Sequence, residues 1–452
     1  MRILVVGAGY VGLTTAAVMS TQHQVTVVES NPFKVELINK GIAPFAEKGM
    51  SQILHKSVND GSLRAVFPDN LPSKMDFVII CVGTPPRLDG SVDLTYLSSA
   101  MDNLFASIDS IVDEYCVFVL KSTVPPGTTR LRVLNSIRER GLDEKIGVVF
   151  NPEFMKQGFA VDDISNPDRV VIGSSNEKAS SDFEKLYRSI IKHQETPFFK
   201  MSMESAELCK YASNCFLASK VSFTNELASL SERIKESNIE DVMKAVTADT
   251  RISPSHLKPG LGFGGTCLPK DLEGLIHYGN DLGVQMKLLE AVKIVNDSTA
   301  KRLLRLLVGR VEDLRGAKVA VLGISFKKGT DDTRSSQSLD LIEELHAHGV
   351  NIYVHDPLAN ESTIEPNIRS MFERCETIEE CTNQAEALFL MTDWPIYEEI
   401  GLENLVKNMN AKVVIDGRRV FSKLTIPEYI QYISLGSCPI IKEAKAVRET
   451  QK

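Results

Sequence analysis

No apolar run in this chain of 452 residues approaches the roughly 20 residues that a membrane helix needs. The longest, such as FVIICV at 77–82, have the length of a strand, so no membrane partner is expected. Blocks of one charge are missing too. The 51 Lys and Arg are scattered among 59 Asp and Glu for a net charge of −8, which leaves no footprint for nucleic acid. The eight cysteines, at 81, 116, 209, 215, 267, 375, 381 and 438, form neither CxxC pairs nor Cys/His clusters. With the eight histidines isolated, no metal site and no Ser/His/Asp triad is expected. Thiols in a reducing cytoplasm are the plain expectation. Low-complexity segments are absent, and only KEAKAVRETQK at the end reads as a frayed tail. The opening MRILVVGAGYVGL puts a basic residue before an apolar run, as a leader would, but lacks a small-residue cleavage site and reads as part of the fold.

What is there is enough apolar material, 43% of residues, for two or three cores. RILVVG, YVGLTTAAVMST, QVTVVE and NPFKVELINKG read as strand, helix, strand and helix. DFVIICVGTPP, CVFVLKSTVPPG and GVVFNPEF follow as strands that end in turns, where open parallel sheets hold ligands. From about residue 202 a stretch without Gly or Pro predicts one long helix. A second βαβ pattern starts at AKVAVLG and continues through DLIEELHAHG, VNIYVHDP, EALFLMTDW and AKVVIDGRR, without the full set of glycines. The expected fold class is α/β, with two doubly wound Rossmann-like domains joined by a central long-helix region. The expected boundaries are 1–200 for dinucleotide binding, 201–300 for the helical part, and 301–452 for the second α/β domain.

Gly7, Gly9 and Gly12 of GAGYVG have the G-x-G-x-x-G spacing between a strand and a helix, so backbone amides and a helix N-terminus can meet a pyrophosphate. Glu29 closes the next strand, where an acid accepts from ribose hydroxyls and repels a 2′-phosphate, favouring NAD over NADP. A tight turn in a nucleotide-free sheet is the plainer alternative. In GFGGTCLPKD, Pro269 suits the first turn of a helix, which puts Cys267 just before an N-terminus that favours thiolate. Asp271 would stand one turn on, and the glycines leave room for a bulky substrate. Cys267 is therefore a candidate nucleophile, whereas the other seven cysteines read as small core residues. Lys210 and Asn214, at i and i+4, could hold an oxyanion or could be a solvated helix face. Thr123 and Glu153 stand at strand ends, where they could bind and activate water, or be a loop cap and a surface acid. Phe326, Lys327, Arg334, Arg418 and Arg419 lie at strand ends of the second half, as phosphate recognition or generic basic loops.

GAGYVG, VGTP, STVPPGT, NPEF, AELCKYASNCFLASKVSFTNE, PGLGFGGTCLPKD, SFKKGTDDTR and DGRR occur in the order seen in the UDP-glucose/GDP-mannose dehydrogenase family, which the chain resembles from residue 1 to about 425. That resemblance implies a four-electron oxidation in which two NAD+ turn the C6 alcohol of a nucleotide sugar into a carboxylate. UDP-glucose is the expected substrate and GDP-mannose the alternative. It implies Cys267 as the nucleophile that forms a thiohemiacetal and then a thioester. Lys210, Asn214 and Asp271 would assist proton removal and stabilise oxyanions, with Thr123, Asp271 and Glu153 at the hydrolytic water. Tyr10, Val11, Lys34, Thr84, Thr123, Lys270 and Arg334 would join the glycines and Glu29 around NAD. Phe154, Glu153, Lys210, Asn214, Phe263, Gly264, Phe326, Lys327 and Arg418 would contact the nucleotide sugar, and Arg251 would reach it from a partner subunit, so a homodimer or higher homo-oligomer is implied. The chain departs from the family pattern at Gln157, where a second glutamate is usual, at Glu29 in place of aspartate, at Thr266 and Leu268 beside the cysteine, and at Ser335. A catalytically silent NAD-binding scaffold would have lost Cys267, Lys210 or Asp271, and all three are present.

Overall fold

The computed structural model describes residues 1–437; Cys438 and the tail KEAKAVRETQK lie outside the described residues. Two compact units interleave along the chain: one holds Met1–Cys215 and Lys270–Met286, the other Phe216–Pro269 and the chain from Lys287 on.

The first unit is built on eight strands, β1 (Arg2–Val6), β2 (Gln24–Val28), β3 (Leu63–Val66), β4 (Phe77–Ile80), β5 (Cys116–Leu120), β6 (Ile146–Phe150), β7 (Val170–Ser174) and β8 (Phe198–Met201). Their order is β3-β2-β1-β4-β5-β6-β7-β8, and every pairing is parallel except that of β6 with β7. Because side chains alternate across a sheet, Ile3, Val5, Ile79 and Val119 enter the core on one face and Leu4, Val6, Val78, Ile80 and Leu120 the core on the other. Burial on both faces is why these strands read as unbroken apolar runs. The order reverses between β1 and β4, and the loops after β1, β2, β4, β5 and β6 carry Gly7, Glu29, Thr84, Thr123 and Glu153. Such a reversal opens a crevice at the carboxyl ends of the strands.

The predicted long helix is present as Met203–Ser231, 29 residues, with Lys210 and Asn214 in the part that belongs to the first unit. A second helix, Leu268–Asp281, starts directly after Cys267 and has Asp271 in its first turn.

The second unit carries six strands, β9 (Lys318–Leu322), β10 (Asn351–His355), β11 (Phe372–Arg374), β12 (Ala387–Leu390), β13 (Val413–Asp416) and β14 (Gln431–Ser434), all parallel in the order β11-β10-β9-β12-β13-β14. This repeats the winding of the first six strands of the other sheet. Asp356, just past β10, occupies the place that Glu29 has past β2, but its carboxylate is consumed internally. It accepts from the amides of Ile324, Ser325, Leu358 and Ala359, each at 2.9 Å, and from the Trp394 indole at 3.2 Å. A carboxylate offers about four acceptor sites, so nothing is left for a ribose.

Candidate active site

At the crevice of the first sheet the glycines divide the work. Gly7 has φ +100°, and a Cβ there would lie 2.8 Å from the Cys81 carbonyl oxygen; one at Gly12 would lie 2.0 Å from that of Gly7. Both are demanded by packing of the turn itself. Gly9 meets nothing within 4 Å, so its bare backbone faces open space at the N-terminus of the helix Tyr10–Ser20. A cradle that a side chain would fill, beside helix amides, suits a pyrophosphate. Glu29 steadies this loop by accepting from Ala8 N at 3.0 Å on one oxygen and from Asn31 N at 2.9 Å and Ser30 Oγ at 3.4 Å on the other, which leaves the first oxygen a further lone pair. Lys34 sits in the first turn of the helix Pro32–Asn39 that follows, and Thr84 donates to the Thr123 carbonyl at 2.8 Å, tying the ends of β4 and β5 together. These residues fit NAD. We expect Gly9→Ala to keep the melting temperature but weaken NAD+ binding roughly tenfold, since one methyl enters the pyrophosphate path. Gly12→Ala should instead cost about 3 kcal/mol or more in overpacking. That is a fall of roughly 6–12 °C, and differential scanning fluorimetry with NAD+ titration separates the two cases.

Tyr10 extends the loop sideways. Its hydroxyl pairs with Glu47, the Gly158 amide donates to both at 3.0 and 2.8 Å, and Ala160 N donates to Glu47 at 3.0 Å. Burial, reinforced by the Glu47 carboxylate, raises the phenol above its ordinary value. The glycine loop is thus linked to the segment after NPEF, next to Gln157.

The long helix supplies the next layer. Lys210 Nζ donates to Glu153 Oε1 at 2.7 Å and to the Glu153 carbonyl at 2.8 Å, and both side chains are buried. Burial pushes the Glu153 carboxyl up, but the Lys210 ammonium, helped by the Met155 amide, outweighs it and holds the group below its usual value. One turn on, Asn214 donates to Asp271 Oδ2 at 2.6 Å, and Lys270 caps the other oxygen of this fully buried carboxylate at 2.7 Å. Phe154 lies flat beneath Arg169, whose guanidinium carbon is 3.9 Å from the ring centroid. Glu207, which the sequence pattern did not single out, accepts from Gly127 N at 2.5 Å, Thr129 N at 2.7 Å and Thr129 Oγ1 at 2.6 Å. It pins the loop of Thr123 to the helix of Lys210. Its signal was present as the i, i+3, i+7 spacing of Glu207, Lys210 and Asn214, one face of a helix.

The second unit presents the cysteine segment. Cys267 is exposed and directly precedes the helix that starts at Leu268, with Pro269 its second residue. The Thr266 hydroxyl lies 3.7 Å from the sulfur. The glycines before it pack closely: a Cβ at Gly264 would be 2.2 Å from the Ser335 carbonyl oxygen, and one at Gly265 2.9 Å from the Phe326 ring. Gly265 N also donates to the Arg334 carbonyl at 3.0 Å. Cys267, Phe263, Gly264, Phe326 and Arg334 are therefore one neighbourhood within this unit. Asn296, also unforeseen, clamps Phe263 by accepting from its N–H at 2.8 Å and donating to its carbonyl at 3.2 Å, and Asn225 accepts from Gly260 N at 2.9 Å.

The candidate cations behave differently. Lys327 lies over the Phe326 ring, 5.5 Å from its centroid. Arg418 donates to the carbonyls of Phe326 at 2.7 Å and Met391 at 2.8 Å. Arg334 forms a bidentate pair with Asp332, 2.8 Å for each bond, and Arg251 pairs with Asp249 in an exposed loop. Arg419 is a correction to the phosphate reading. Its backbone is left-handed at φ +60°, and its buried guanidinium is spent on Glu240, Asn238, Ser437 and the Leu435 carbonyl.

Comparison with known proteins covers nearly the whole chain. Models of the UDP-glucose/GDP-mannose dehydrogenase family match its NAD binding domain at residues 1–191, its central domain at 204–298 and its UDP binding domain at 320–423. The UDP-glucose 6-dehydrogenase of Pseudomonas aeruginosa is 35% identical over 442 residues, 95% of each chain. A UDP-glucose dehydrogenase from Pyrobaculum islandicum superposes with a TM-score of 0.88 at 34% identity, over 97% of this chain and 98% of that one. A UDP-D-ManNAc dehydrogenase from Pyrococcus horikoshii does so with 0.85 at 27%, over 96% and 99%.

Proposed function

The chain belongs to the UDP-glucose/GDP-mannose dehydrogenase family, with NAD as its cofactor, and from that premise we propose that it oxidises UDP-glucose at C6, through the aldehyde, to UDP-glucuronate. The observation that carries this reading is the pair of clusters that Lys210 and Asn214 of the long helix anchor, Lys210–Glu153 and Asn214–Asp271–Lys270, with Asp271 four residues along the chain from the exposed thiol of Cys267. A single-step alcohol dehydrogenase would have no use for that thiol.

Bound NAD+ supplies the hydride acceptor for each of the two oxidations. Lys210 and Asn214 present N–H donors that stabilise the C6 oxygen as it loses its proton. Cys267 adds through sulfur to the aldehyde carbon, and the resulting thiohemiacetal keeps the sugar attached until it is oxidised to the thioester. A water held by Thr123 and Asp271 then attacks; the C–O bond forms, the C–S bond breaks, sulfur leaves as thiolate and Glu153 takes the proton. Phe326, Lys327 and Arg418, with Phe154, Phe263 and Gly264, are the proposed nucleotide-sugar contacts, and Arg334 and Lys270 are proposed cofactor contacts.

The test is a count. Excess NAD+ with limiting UDP-glucose, GDP-mannose or UDP-N-acetylmannosamine should give about two NADH per sugar from UDP-glucose alone. Two NADH from another sugar nucleotide would reassign the substrate, and none from any would favour the silent scaffold.

The same reading includes a cytoplasmic location and a homodimer, to which Arg251 of each copy is donated. Among the described residues, no helix is long and apolar enough to cross a membrane. Phe216, Phe223 and Leu230 recur every seven residues on the long helix and are 66%, 52% and 56% exposed, a stripe that a second copy would cover. Phe216→Asp with Phe223→Asp should convert the dimer to monomer in light scattering, with activity falling as Arg251 is withdrawn.

A further inference from the structure

A lysine that the proposed chemistry does not use is buried behind Glu153. Lys121, at the end of β5, is 2% exposed. An ammonium has three N–H donors. This one donates to Asn151 Oδ1 at 2.6 Å and, at the outer limit of 3.5 Å, to the hydroxyl of Tyr187, over whose ring it lies 5.5 Å from the centroid. Asn151 is held in this orientation by its amide group, which donates to the Val171 carbonyl at 2.9 Å. At least one N–H of a buried charge is thus left without a protein acceptor, a state that costs several kcal/mol unless something else accepts. Lys121 shares the wall of a pocket of about 40 Å³ with Asn151, Glu153, Val170 and Tyr187. A water needs about 10–15 Å³ measured this way, together with two to four polar partners. Glu153 provides the other end. Each of its carboxylate oxygens has one partner, Lys210 and Met155 N, and so a lone pair remains on each. Of the other charged groups on the wall, Asp163 accepts from Lys156, Arg169 stacks on Phe154 and donates to Ser213, and Asp168 is exposed to solvent.

We propose that this pocket is a water site, in which water accepts from Lys121 and donates to Glu153, making Lys121 a positioning residue for Glu153 in thioester hydrolysis. The functional half of this inference rests on the reading of Cys267 and Glu153 given above. By that measure the space takes roughly three waters, so the site is small. With it intact, Glu153 is held on three sides, by Lys210, by the Met155 amide and by water, with its carboxylate aimed by all of them.

Lys121→Met keeps the stem and removes the donors, while Val170→Leu fills the cavity and leaves every charge in place. In single-turnover reactions with wild-type enzyme as reference, both variants should release the first NADH at close to the wild-type rate. Both should then accumulate the Cys267 thioester, seen by intact mass, with hydrolysis slowed roughly tenfold or more. Equal slowing of hydride transfer and hydrolysis, or no change in either, would overturn the positioning role. If Lys121→Met fails to fold, Val170→Leu alone decides. A high-resolution crystal structure of the unliganded wild type reads the site separately: water between Lys121 and Glu153 is expected, and an empty cavity there rejects the site even if turnover is normal. Wild-type enzyme that makes no thioester would instead reject the reaction reading, and the water site would then stand or fall on that electron density alone.

Discussion

Replacing Cys267 by serine is expected to stop carboxylate formation, lowering steady-state turnover by roughly 10³-fold or more, while NAD+ affinity and melting temperature stay at the wild-type values. The size follows from what sulfur does in the cycle. A thiol at a helix N-terminus is ionised far more readily than an alcohol, and thiolate is the better nucleophile toward an aldehyde. It is also the better leaving group, so a serine that did add would give an oxygen ester, which resists the water step. Stability should not follow, because Cys267 is exposed and directly precedes the helix Leu268–Asp281, a place where serine caps well. Thermal melts and NADH burst counting together check this: near-normal stability with less than one equivalent of steady NADH supports the thiol cycle. Two NADH per sugar at the normal rate from Cys267→Ser would remove Cys267 from the mechanism.

Much of the fold was legible because parallel strands buried on both faces cannot hide their composition, as Phe77–Ile80 and Cys116–Leu120 illustrate. β3 was not singled out: it lies at the sheet edge, and Arg64 points to solvent within its four residues. The antiparallel turn of β7 depends on the path of the NPEF loop, which no local pattern encodes. Nor does any residue mark the place after Pro269 where the chain rejoins the first unit. For the candidate site, residue type and spacing found the groups that present chemistry, and missed those that hold them. Glu207 and Lys121 read as ordinary charges of a helix and a strand end, and only burial sets them apart. Arg418 and Arg419 are adjacent and identical in type; the left-handed backbone of the second decides that it serves packing.

The second large effect concerns Lys210. Lys210→Met should reduce kcat/KM by roughly 10³-fold, through the loss of a donor aimed at the oxyanion. It should also destabilise the protein by about 3–5 kcal/mol at pH 7, because the buried carboxylate of Glu153 is left without its main counter-charge. Acidification separates the two consequences. In the wild type, Glu153 is held below its unfolded value of about 4.3, so its contribution to stability is present above that pH and is lost as pH falls through the folded value. Without Lys210, burial, the strongest influence on this group, acts against the charged form and drives it the other way. A carboxyl raised above its unfolded value favours folding more as the solution becomes acidic. The gap in melting temperature between wild type and Lys210→Met should therefore be widest near pH 7 and narrow toward pH 5. Lys210→Met combined with Glu153→Gln should recover most of the lost stability at pH 7 and none of the activity. A gap that is constant with pH would mean that Lys210 stabilises by packing alone. Recovery of activity in the double variant would mean that neither group takes part in the chemistry.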